Sequence, residues 1–252
     1  MEPKKVTRWK ASGIHLAISA SIAAAVLTVM LVLWYPGPLL EAAGGRDLLL
    51  ILTGVDVVLG PLITLIIFKA GKRGLMLDLT VIGLVQLSAL VYGMHIVYVA
   101  RPAFIVFVKD QFQMASAVEI EPEEFAKAKY PQFARAPRSG PLWAFADFPT
   151  DVAAKQRLLD KTFAGYDMQH FPEYYAPYAE RTRQVLEKAW TMEKLRSDEP
   201  QAAKVVDEYL ARSGIKDSEV RYVRLRARQA WLAVLIDPKT AQPLAMLITE
   251  KI

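Results

Sequence analysis

The sequence has no cysteine in 252 residues and only three histidines. The first absence excludes a disulfide framework and any Cys-ligated metal. The second leaves His170 as the sole histidine beyond residue 100, since His15 and His95 fall in apolar runs. A typical zinc site is therefore not expected. There is also no Gly-rich phosphate loop, no GxSxG elbow and no HExxH pair. These absences predict no catalytic residues, no cofactor and no metal, and the chain reads as a non-enzyme. The net charge of +5 is modest. The basic residues beside the apolar segments are explained by topology, so nucleic acid is not an expected partner.

What the chain does have is long apolar runs. The central one is Leu48–Phe68, LLLILTGVDVVLGPLITLIIF. As a helix rising about 1.5 Å per residue it spans roughly 30 Å, the thickness of the hydrocarbon core of a bilayer. Asp56 sits near its middle, where a carboxyl group costs about 2.5–3.5 kcal/mol on insertion scales. Gly60-Pro61 follows, and Pro61 deprives the Val57 carbonyl of its helical partner. Thr53, Asp56, Gly60 and Thr64 share one side of a 3.6-residue helix, a stripe expected to face protein. With no basic residue in midspan, Asp56 is expected to be neutral and to hydrogen-bond a neighbouring helix.

Two further runs flank it. Gly13–Tyr35 is too long for a cleaved signal segment and reads as a retained helix. It carries Gly13, Ala17, Ser21 and Ala25 at spacings of four, which allow close helix approach. The stripe is expected to pack mainly within the chain, with another protein's helix as the alternative. Residues 75–99 form the third run, with Asp78 in its first turn and Gln86, Ala89 and Gly93 along one side. The intervening residues 36–47 contain prolines and a Gly pair and read as a short loop.

Lys4, Lys5, Arg8 and Lys10, and later Lys69, Lys72 and Arg73, mark two basic flanks. Basic loops stay cytoplasmic. The expected fold class is thus a membrane α-helical domain, residues 1–100, with helices at about 13–35, 47–68 and 75–99. A C-terminal α+β extracytoplasmic domain, residues 101–252, follows in the periplasm. Its strands are expected at 104–108, 112–120, 142–148, 220–226, 230–236 and 243–249. Helices are expected at 121–130, 151–163, 178–195 and 200–213. The aromatic stretch 165–178 offers Tyr166, His170, Tyr174 and Tyr175 as a candidate periplasmic contact, since such side chains are enriched at interfaces. The alternative is that its rings pack on the core.

The segments KASGIHLAISASIAA, WYPGPLLEAAGG, LLLILTGVDVVLGPLITLIIF and RPAFIVFVKDQF occur in this order. Together they closely resemble the type IV pilin accessory protein family, the TfpX/TfpZ-like proteins, through residues 10–120. The resemblance implies an inner-membrane, chaperone-like protein that supports the stability or assembly of a particular type IV pilin subunit. It implies no catalytic residues. The candidate contact with a partner helix is then Gly13, Ala17, Ser21 and Ala25 with Thr53, Asp56, Gly60 and Pro61. The expected partners are the pilin, other pilus assembly proteins and the lipid bilayer. A small transporter using Asp56 as an ion or proton site is the alternative function.

Overall fold

The computed structural model describes residues 6–252, so Lys4 and Lys5 lie outside the described residues. The chain divides into two compact units. One runs to Leu33 and resumes over Gly45–Val99; the other comprises Trp34–Gly44 and Ala100–Ile252.

The first unit is made of three helices long and apolar enough to cross a membrane: α1 (Arg8–Trp34), α2 (Gly45–Ile67) and α3 (Leu75–Val99). The first starts five residues ahead of the expected Gly13. Thr7 caps it, its hydroxyl accepting from the Lys10 amide at 3.3 Å, which satisfies one of the otherwise unpaired first-turn donors. In α2 the helix winds wider ahead of the proline. Gly54–Leu59 winds as a π turn, and the Gly60 amide reaches the Val55 carbonyl five residues back. The extra residue per turn accommodates the missing Pro61 donor while Gly60 keeps helical dihedrals.

The second unit is built on one mixed seven-stranded sheet in the order β4-β3-β1-β2-β5-β6-β7. The strands are β1 (Pro102–Val108), β2 (Gln111–Ser116), β3 (Leu142–Ala146), β4 (Tyr175–Pro177), β5 (Arg221–Arg226), β6 (Ala230–Ile236) and β7 (Pro243–Lys251). β1–β2, β3–β4, β5–β6 and β6–β7 pair antiparallel, whereas β1–β3 and β2–β5 pair parallel. Lys109 takes the positive φ that the β1–β2 turn requires.

Every residue of β1 is buried, and its side chains divide by parity. Phe104 and Val106 enter one cluster with Phe133 and Tyr175, while Ile105 and Phe107 enter another with Phe112 and Leu225. A period of two therefore gives this strand two apolar faces, both covered. On β6, Ala233 and Leu235 meet a third cluster. Helix α7 (Pro200–Ser213), ended by Gly214 in the left-handed region, supplies Val206 and Leu210 to it.

Helix α4 (Val152–Phe163) is capped by Asp151, as its sequence predicts. The single helix expected at 178–195 is instead two, α5 (Thr182–Lys188) and α6 (Met192–Asp198). Between them Trp190 exchanges backbone hydrogen bonds with Tyr222 of β5 at 2.8 and 2.9 Å. A tertiary strand contact thus outweighs local helical propensity. The expected helix at 121–130 shortens to Pro122–Phe125.

Candidate functional site

In the helical unit the polar side chains of α1 and α2 meet along one seam. The Ser12 hydroxyl donates to the Pro61 carbonyl at 2.9 Å. His15 Nδ1 and Thr64 Oγ1 share a hydrogen bond of 2.6 Å. Ser19, one helical turn further along α1, is buried. The two helices thus meet near Pro61 through small and polar groups. From α3, Gln86 Nε2 reaches the Asp56 backbone carbonyl at 3.4 Å. Gly60 leaves the room for that amide, because a Cβ there would stand 2.1 Å from Gln86 Nε2. Gly93 admits Leu52 in the same way, with 2.4 Å between a hypothetical Cβ and Leu52 Cδ1.

These contacts sort the expected residues. Asp56, Gly60, Pro61 and Thr64 are buried and Thr53 is half-buried, so most of that stripe faces the chain's own helices. The small residues of α1 do the opposite. Gly13, Ala17, Ser21 and Ala25 are all exposed, and a Cβ on Gly13 would meet nothing within 4 Å. The expectation that this stripe packs within the chain is thus corrected. The seam runs one to two residues earlier on the helix, through Ser12, His15 and Ser19, because those polar side chains find partners or cover. Gln86 belongs to a polar stripe visible in the sequence, but its opposition to Gly60 depends on the relative rotation of two helices.

Asp56 lies where two grooves come close. One, of about 290 Å³, runs between α2 and α3 and is lined by Ile51, Leu52, Val55, Ala89, Gly93 and Ile96 among others. The second, of about 160 Å³, lies between α1 and α3 beside His15, Ser19, Gly83 and Gln86. Asp56 lines both. Its Oδ1 and the Gln86 Oε1 are buried and have no hydrogen-bond partner among the described residues. Buried polar atoms in an apolar setting are costly, about 1–3 kcal/mol each when left unmet. What the arrangement can do is accept hydrogen bonds from a group entering either groove.

In the sheet unit the residues Trp34–Gly44 are part of the core. Leu39 and Ala42 are fully buried in the cluster of Ile105, Phe107, Leu232 and Val234. The Ala42 carbonyl accepts from the Gln229 amide at 2.9 Å, and Glu41 pairs with Lys251 at 2.5 Å. Gly44, at φ +79°, lies so close to Gln229 that a Cβ would be 2.7 Å from its side-chain nitrogen. Tyr35 is 1% exposed, and burial pushes its hydroxyl up to about 12 despite the nearby Arg101 and Arg228. The WYPGPLLEAAGG segment, expected as a loop between helices, thus closes one face of the sheet.

Of the aromatic residues expected at 166–175, Tyr174 and Tyr175 are buried, as the core-packing alternative has it, while Tyr166 and His170 are half-buried. Tyr175 is 1% exposed and its hydroxyl donates to the Gln169 carbonyl; Tyr174 and Phe171 are buried beside it. Tyr166 is half-buried and donates to Glu121 at 2.7 Å, and His170 Nδ1 accepts from the Asp167 amide at 3.1 Å. Rings that read as an interface in sequence are here the core's own cover, wound through two 3₁₀ turns.

Comparison with known proteins gives this geometry a setting. The family model for the fimbrial assembly protein FimB matches residues 3–44. The fimbrial assembly protein of serogroup I from Dichelobacter nodosus is 32% identical over 179 residues, covering 70% of this chain and 69% of that protein. The chain belongs to the fimbrial assembly protein family. The serogroup E1 protein of the same organism is 30% identical over 178 residues, with 70% and 69% covered. The protein of serogroups C1 and C2 is 36% identical over 121 residues, covering 47% of this chain and 92% of its own. No solved structure matches. Since 179 aligned residues exceed the 99 that end at Val99, the family likeness extends into the sheet unit. The family model's match ends at Gly44, the residue that closes the segment packed on that sheet.

Proposed function

We propose that this family member is an inner-membrane accessory protein that holds a specific type IV fimbrial subunit, chaperone-like, before or during assembly. Its three helices cross the bilayer with the N-terminus in the cytoplasm, and the sheet unit lies in the periplasm. The basic flanks at Arg8, Lys10, Lys69, Lys72 and Arg73 support this orientation. The subunit's membrane helix occupies the grooves flanking Asp56, and the small-residue stripe Gly13, Ala17, Ser21 and Ala25 offers it a second close approach.

The observation that carries this reading is the buried Asp56 Oδ1, without a hydrogen-bond partner among the described residues, between two open grooves. A helix that only needed to cross lipid would gain by replacing it with leucine. The role is one of holding rather than chemistry, in keeping with the assembly function that the relatives' names state. The test is Asp56→Leu and Asp56→Asn in cells that make the fimbriae. Both variants should accumulate in the membrane at wild-type level. The leucine variant should lose recovery of the subunit by about tenfold or more, the value of one hydrogen bond to a charged or strongly polar group. Undiminished fimbriae and subunit recovery in the leucine variant would sink the reading.

A further inference from the structure

The sheet unit holds a pocket that the role above does not use. It has a volume of about 220 Å³ and lies between the Pro122–Phe125 turn, α4 and the aromatic turns at 171–174. At about 30 Å³ per water it has room for roughly seven waters, the scale of one small amino-acid residue. Its polar lining is Glu124, Lys127, Arg157, Glu173 and the Tyr174 hydroxyl, with Lys161 at the side. Leu158 and Phe171 supply an apolar wall.

The hydrogen-bond ledger of this pocket is uneven. Glu124 is 3% exposed, and one of its oxygens, Oε1, takes both Lys127 at 2.8 Å and Lys161 at 3.5 Å. Its other oxygen, Oε2, is buried without a partner among the described residues. The Tyr174 hydroxyl, on a residue 6% exposed, also lacks a hydrogen bond of good geometry. Lys161 is further shared with Glu121 at 3.5 Å. Arg157, in contrast, makes no ion pair among the described residues and stands exposed at the rim.

Each simple ligand class fails one half of that ledger. A bare anion would suit Arg157 but would add a third negative charge to those of Glu173 and Glu124, the latter with an unmet oxygen. A bare cation would suit Glu124 but would face three cationic side chains. A ligand carrying a carboxylate next to a nitrogen donor satisfies both. We propose that this pocket binds the carboxyl-terminal end of an amino acid, either free or as the last residue of a peptide. Arg157 grips the carboxylate through its planar fork, and Glu124 Oε2 accepts from the adjacent N–H. Tyr174 completes the polar contacts, and the ligand's side chain lies against Leu158 and Phe171. This site stands on its own geometry and does not depend on how the helical unit meets a fimbrial subunit.

Isothermal titration of the full-length protein in detergent tests it, with L-leucine, L-leucinamide and the tripeptide Ala-Ala-Leu as probes. L-leucine or the tripeptide should bind, and L-leucinamide, lacking the carboxylate, at least tenfold more weakly. Arg157→Gln should weaken the binding probe at least tenfold while leaving the thermal unfolding midpoint unchanged, since Arg157 is exposed and makes no ion pair among the described residues. Binding of leucine alone identifies a free amino acid as the source; binding of the tripeptide alone identifies a chain terminus. No heat from any probe up to about 10 mM, weaker than any useful recognition, would overturn the assignment. So would binding that Arg157→Gln leaves unchanged.

Discussion

The helical unit and the sheet unit treat their apolar surface in opposite ways. In the helical unit the large side chains point outward: Ile66 is 74% exposed and Met76 79%. The inner seam is reserved for Ser12, His15, Asp56, Thr64 and Gln86. In the sheet unit the centre is apolar, and even β1 has no exposed position. The contrast teaches where each unit's stability comes from. The helices need apolar surroundings outside and use polar contacts to choose one another. The sheet gains from removing apolar surface from water on both faces. The segment Trp34–Gly44 follows the second rule although it connects two members of the first unit.

The largest effect that would break this contrast is at Leu39. Leu39→Ala should destabilise the sheet unit by about 2–5 kcal/mol, the range for truncating a buried leucine. Limited proteolysis along a urea gradient should show residues 100–252 cut at lower urea while the helical unit is unaffected. Equal sensitivity of the two units would show that the segment is not part of the sheet's core.

Next is Gly60. Gly60→Ala forces the Gln86 amide away from Asp56 and should cost about 1–3 kcal/mol, the range for overpacking. Adding Gln86→Ala removes the obstruction, so the double variant should recover most of the loss; this non-additivity is what contacting residues show. Thermal melting in detergent measures both. A simple sum of the two losses would place Gln86 elsewhere.

The smallest expected effect is at His170 in the sheet unit. Burial holds its imidazole below the ordinary 6.5, with Glu119 and Asp167 pulling weakly the other way. The folded chain therefore binds this proton less readily than the unfolded chain. Acidification below about 6.5 then favours unfolding, and the loss continues until the pH passes the lowered folded-state value. His170→Asn keeps an acceptor for the Asp167 amide but does not titrate. The variant should lose less stability than the wild type between pH 7 and pH 5, read by thermal melting of the full-length protein. Identical slopes would remove this contribution.

Much of this was legible in the sequence. Three apolar runs became three helices, and the short strand pairs expected around 104–120 and 220–236 became hairpins. Asp151 and Gly214 bounded their helices by local chemistry alone. What escaped was fixed by distant partners. The break at Trp190 depends on Tyr222, more than thirty residues away. The burial of Leu39 and Ala42 depends on strands that come after two further helices. The outward turn of Gly13 and Ala17 depends on which side of α1 finds Pro61 and Thr64. A spacing of four identifies a stripe but not its direction. In the same way, the aromatic content of residues 166–175 marks large side chains without saying whether they cover a core or await a partner.

The proposed function requires that the Asp56 grooves hold the membrane helix of a fimbrial subunit. A photo-reactive amino acid at Ala89, which lines the larger groove, tests it most directly in living cells. The same probe at Val58, 60% exposed outside both grooves, serves as the comparison. An adduct with the fimbrial subunit is expected from Ala89 and little from Val58. No adduct from Ala89, or equal labelling from both positions, would contradict it.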